Sequence, residues 1–119
     1  MEDGTGGQLN ADIARTVVRI YRRFRGRGPT AARAFFRDDI LVVMLTDVMT
    51  VPERSLAAAG GADETMDIQR QLRAVMGAEL EAAVEQLTGT RVIARMSQNS
   101  QDPDMAVEVF VLSERLQPA

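Results

Sequence analysis

Apolar residues recur at intervals of three and four over residues 63–88: Ile68, Leu72, Val75, Met76, Leu80, Ala83, Val84 and Leu87. This spacing constrains the fold more than any other feature. It gathers these side chains on one side of an α-helix about 39 Å long at 1.5 Å per residue. A helix of that length with one apolar side must lie against a surface of similar length. Its apolar arc covers roughly half the circumference, more than a single sheet face requires. Gly89 is a natural C-cap for it.

The rest of the chain supplies that surface. Residues 10–26 repeat the helical spacing through Ile13, Val17, Ile20 and Phe24, with Ala14 and Tyr21 on the flank and Asn10 as the expected N-cap. The stop is GRGP, residues 26–29, because glycine accepts the backbone angles of a C-terminal cap and proline cannot continue a helix. Beyond it the pattern becomes strand-like, with a turn at Arg37, Asp38 and Asp39, so strands are expected over 31–36 and 40–48. TVPE, residues 50–53, has the form of a capping box with proline in the first turn, which predicts a short helix to Ala59. Two further strands, 91–97 and 105–112, flank a polar loop over 98–104.

This order of helix, hairpin, two helices and hairpin predicts an α+β fold, an antiparallel four-stranded sheet from two hairpins with the helices packed on one face. In MAVEVFVL, Ala106, Glu108, Phe110 and Leu112 face one way and Met105, Val107, Val109 and Val111 the other, while ILVVML at 40–45 is apolar on both sides. A sheet apolar on both faces calls for a partner, and a homodimer is expected. The chain has 119 residues, the size of one domain, read as a flexible N-terminus over 1–9, a single domain over 10–113 and a tail over 114–119.

Composition narrows the chemistry. Cysteine and histidine are both absent, which removes thiolate chemistry, disulfides, the usual neutral-pH base and the commonest nitrogen ligand for a metal. No catalytic residue, metal or cofactor is expected. The longest strongly apolar run, ILVVML, is far too short to span a bilayer, and the start MEDGTGG is not a secretory leader; a soluble, cytoplasmic protein is expected.

Charge is unevenly placed. Residues 1–37 hold eight Arg against Glu2, Asp3 and Asp12, a net of +5, whereas residues 38–119 hold six Arg against fourteen acids, a net of −8. Arg15, Arg19, Arg22 and Arg23 fan out opposite the apolar side of the first helix, as a solvated face or a dock for an acidic protein partner. Nucleic acid fits less well, since the whole chain is acidic and the patch has no aromatic platform. A membrane foot would need the apolar side that the core uses. Arg25, Arg27 and Arg33 around the GRGP stop are the candidates for binding an anion or nucleotide as a regulatory module, although the loop lacks the Walker pattern.

The acids have ordinary readings beside functional ones. Asp38, Asp39, Asp102 and Asp104 would serve a carboxylate- or metal-dependent hydrolase only if they converged, and turns are where Asp belongs. Glu79 lies inside the apolar arc of the long helix, where pairing with Arg33 or Arg95 is expected. Met76 and Met96 are expected as core filler.

The stretches RGRGP, DDILVVML, LTGTRV and DPDMAVEVFVL together resemble the small MpsC-like family, over about residues 12–112. That family's name refers to a membrane-potential-generating or sodium-translocating system, and its membrane partners are linked by genomic association to bicarbonate or CO2 supply. The resemblance implies an accessory protein rather than a pump, with a component of the membrane system as a possible partner.

Overall fold

A computed structural model describes residues 4–117; residues 1–3 of the expected flexible head and 118–119 of the expected tail lie outside the described residues. Helix α1 runs Gly4–Arg25 and buries Ile13, Val17, Ile20 and Tyr21. It starts ahead of Asn10, which therefore lies inside the helix rather than capping it, and residues 4–9 form its first turns. Leu9 packs against the core, which gives the extra turns an apolar contact. The stop falls where expected: Gly26 has φ +82 and its N–H donates to the Arg22 carbonyl at 2.9 Å.

Strands β1 (Ala31–Arg37) and β2 (Ile40–Thr46) form the first hairpin, with Asp38 at φ 57 in its turn. The capping box at Thr50 and Glu53 is formed in full and starts α2, Val51–Ala58. Helix α3 spans Ala62–Thr88. Strands β3 (Val92–Gln101) and β4 (Asp104–Leu112) complete the molecule. The sheet order is β1-β2-β4-β3, antiparallel throughout, so β2 and β4 are central while β1 and β3 are edges.

Strand β3 continues through Gln98, Asn99, Ser100 and Gln101, the segment expected as a loop. The expected tail is also partly held. Leu116 is buried in the core cluster, and its N–H donates to the Asp38 carbonyl at 2.8 Å.

All three helices lie on one side of the sheet, α1 beside β1 and α3 beside β3, and α1 packs against α3. Leu41, Val43 and Leu45 of β2, with Ala106, Phe110 and Leu112 of β4, form the floor of this core. Burial alternates along both strands, and every second residue leaves for the other face. Met76, Leu80 and Val84 of α3 close the core from above.

Candidate functional site

The basic side of α1 divides in two. Arg15, Arg19 and Arg22 are exposed and, with Ala14, Val18 and Pro29, line a groove of about 460 Å³ between α1 and the start of β1. Arg15 pairs with Asp12, one turn back, and Arg19 reaches the Thr16 hydroxyl at 3.2 Å. Arg23 is not part of this groove: it turns to α3 and pairs with Glu79, its guanidinium 5.3 Å from the Phe24 ring centroid. Glu79 is thus neutralised by α1, and not by Arg33 or Arg95 as expected, because α1 packs directly alongside α3. A second groove of about 380 Å³ meets the first at Ala14 and Ala32 and carries it on past Asn10, Ala11, Ala34 and Phe35. Asn10 Oδ1 is buried there without a hydrogen-bond partner.

The three arginines expected to hold an anion do not converge. Arg25 is buried, donating through Nη2 to both Glu53 oxygens at 2.5 and 2.7 Å and through Nε to the Val48 carbonyl at 3.1 Å. Its charge is consumed by α2. Arg27 donates to the Met49 carbonyl at 2.8 Å, and Arg33 projects from the opposite face of the sheet. Together Arg25 and Arg27 fasten the end of α1 to the segment leading into α2.

The four Asp candidates are separated in the same way. Ile40 pairs with Val111 at one end of β2 and Thr46 with Met105 at the other, which sets the Asp38–Asp39 turn about 20 Å from Asp102 and Asp104. A shared carboxylate centre is ruled out by that distance. Asp38 pairs with Arg115 at 2.5 Å. Asp104 accepts from the N–H groups of Val48 and Met49 at 3.1 Å and pairs with Arg54 at 2.9 Å. Nearby, the Thr30 hydroxyl and Arg54 hold Asp47 below its ordinary carboxylate value. Among the described residues, no three His, Cys, Asp or Glu side chains are grouped to hold a metal ion.

Sequence reasoning missed the centre of the covered face. Glu108 is fully buried, accepting from the Tyr21 hydroxyl at 2.6 Å, from Arg95 Nη1 at 3.0 Å and from the Ser97 hydroxyl. Arg95 also meets Glu81 at 3.3 Å and donates to the Arg73 carbonyl at 3.3 Å, while Arg73 reaches Asn99. Burial, and next the neighbouring Glu108 charge, push the Tyr21 phenol far above its ordinary value. Arg95 crosses beneath α3 at Gly77, where a β-carbon would force its guanidinium to shift. The available signal was Glu108 itself, a carboxylate at an inward position of MAVEVFVL. Both carboxylate oxygens of Glu108 accept from the protein's own groups, an arrangement that holds α1, β3 and β4 together. Gln69, deeper along α3, keeps both amide atoms buried and unpartnered.

Among the described residues, no helix lies on the other face of the sheet. Val42 and Met44 of β2 and Val107, Val109 and Val111 of β4 form its centre, with Phe35 49% and Ile40 44% exposed beside them. Val109 pairs with Val42 on one side and Met96 on the other. Met96 was expected in the core; it stands 56% exposed on this face, unlike the fully buried Met76. Arg33 and Arg37 on β1, and Gln98 and Ser100 on β3, form a polar border.

None of the helices in the described residues is long and apolar enough to cross a membrane. Comparison with curated proteins and with solved structures gives no match. The sequence pattern of one family, described as "Na+-translocating membrane potential-generating system (MpsC)", matches residues 5–114. Nearly the whole folded chain is covered by that match, and the protein belongs to the MpsC family.

Proposed function

We propose that this MpsC-family domain is a non-enzymatic accessory protein that works as a homodimer on the cytoplasmic side of a membrane system and docks an acidic segment of a partner. The observation that carries the reading is the uncovered apolar face centred on Val42, Met44, Val107, Val109 and Val111. Apolar patches of this kind, bordered by polar residues, mark association surfaces in soluble domains. A second copy is the natural occupant, since a two-fold contact places the same apolar centre against itself.

The docking part of the reading is supported by the groove that Arg15, Arg19 and Arg22 line. Opposite charge would speed encounter and set orientation, and the contact would weaken as salt screens it. The family description refers to a sodium-translocating, membrane-potential-generating system, and a component of such a system with an acidic cytoplasmic segment is the proposed partner. Capture from native membranes, followed by mass spectrometry, tests this. The wild type should retain a membrane-system component at low salt and release it at high salt. Retention unchanged in a variant with Arg15, Arg19 and Arg22 all replaced by Glu would contradict the docking role.

A further inference from the structure

The groove beside α1 runs along a strand whose outer edge is unpaired. In the order β1-β2-β4-β3, β1 bonds β2 on one side only, so every second residue of Ala31–Arg37 presents its backbone N–H and C=O along the other. The helix wall carries Ala11 and Ala14 and the strand wall Ala32 and Ala34, and these small side chains leave room for a backbone between them. Asn10 Oδ1, buried and unpartnered in that space, is an acceptor waiting for an N–H.

We infer that the free edge of β1 receives an extended acidic segment of a partner protein as a fifth strand, with Arg15, Arg19 and Arg22 along the helix wall and Arg33 and Arg37 along the opposite side pairing its carboxylates. Main-chain hydrogen bonds would supply affinity and the flanking arginines the selection, as in other strand-addition complexes. Charge decides between a partner and a second copy. Strand β1 contains Arg33 and Arg37 and no acid, so pairing two copies edge to edge would bring like charges together. Successive side chains of an added strand point to alternate faces, so acidic residues on both faces of the segment find arginine. The inference rests on the docking reading above and specifies its geometry.

Two peptides matched in length to β1 separate the geometry from the charge: one alternates Glu and Thr, and the other has the same Glu content with Pro replacing Thr, which removes donors and blocks strand pairing. Calorimetry at low salt should show the Glu/Thr peptide binding at least tenfold more tightly than the Glu/Pro peptide. Amide exchange followed by NMR should show new protection confined to β1. Replacing Arg15, Arg19 and Arg22 together by Glu should weaken the Glu/Thr peptide at least tenfold with the melting temperature nearly unchanged, and Arg70→Glu, on an exposed part of α3, should change nothing. Equal affinity for both peptides without protection of β1 would overturn strand addition while leaving charge-based docking intact. Protection of β3 instead would place the segment on the wrong edge and also overturn it. Failure of both peptides to bind would remove both this inference and the docking reading.

Discussion

The two faces of the sheet differ most sharply at β3 and β4, where polar residues lie on the covered side and apolar ones on the open side. On the face covered by helices, β3 and β4 place Arg95, Ser97, Asn99 and Glu108, and a carboxylate is fully buried. On the face without helices the same two strands, with β2, place Val42, Met44, Met96, Val107, Val109 and Val111. Arg95, Ser97, Asn99 and Glu108 find their partners within the chain, so this network is complete as it stands. Apolar groups on the open side have no such partner. The contrast teaches that burial and self-sufficiency are separate properties: the inner network fixes the fold, and the outer surface, in our reading, makes the second copy part of the structure.

The largest predicted effect comes from breaking the inner network. Glu108→Ala leaves Arg95 without its fully buried partner and should destabilise the fold by about 3–5 kcal/mol in urea unfolding, as expected when one member of a buried pair is removed. Replacing both, Glu108→Leu with Arg95→Met, should recover most of that loss, since a buried pair exchanged for packed apolar residues is often neutral. A double variant as unstable as the single one would show that the network contributes more than charge compensation.

A smaller loss is expected for Tyr21→Phe, about 1.5–3 kcal/mol for one hydrogen bond to a buried carboxylate. This change also has a pH signature. The folded state raises the Tyr21 pKa, so it favours the neutral phenol; the associated stability is complete below the unfolded value near 10.0 and is lost as pH rises above it. The melting temperature of the wild type should therefore fall more steeply above pH 10 than that of Tyr21→Phe. Parallel curves would mean that neither burial nor Glu108 raises the phenol's pKa in the folded state.

The smallest effect on the single folded chain is expected on the open face. Val109→Glu adds a charge at a half-buried position of a central strand and should lower the stability of the isolated chain by about 1 kcal/mol, the span of strand preferences. A loss comparable to that of Glu108→Ala at high dilution would mean that the open face is part of the chain's own core.

The difference between the faces also explains what could be read from sequence. Helix α3 was legible to within a residue because Leu72, Met76, Leu80 and Val84 meet an apolar surface and keep a strict period. Strands β2 and β4 were legible because both of their faces are apolar. The end of β3 over 98–101 was not, since every residue there is polar and its inward positions, Asn99 and Gln101, meet Arg73 and the Ala62 carbonyl rather than an apolar surface. Arg25 looked available for a ligand because its partner Glu53 lies in a distant part of the sequence, and Glu53 was already accounted for by the capping box it also completes. The Arg15, Arg19 and Arg22 face was visible as a helical period, but the groove beside it depends on the free edge of β1 and therefore on the strand order, which no local pattern encodes.

Light scattering on the purified chain, coupled to size-exclusion chromatography, tests the central claim about the open face most directly. At micromolar concentration the wild type should have twice the 13.0 kDa chain mass, and Val109→Glu should have the single-chain mass with an unchanged far-UV spectrum. A wild type that stays at 13.0 kDa across that range would contradict the account, and so would a Val109→Glu variant that remains at twice that mass.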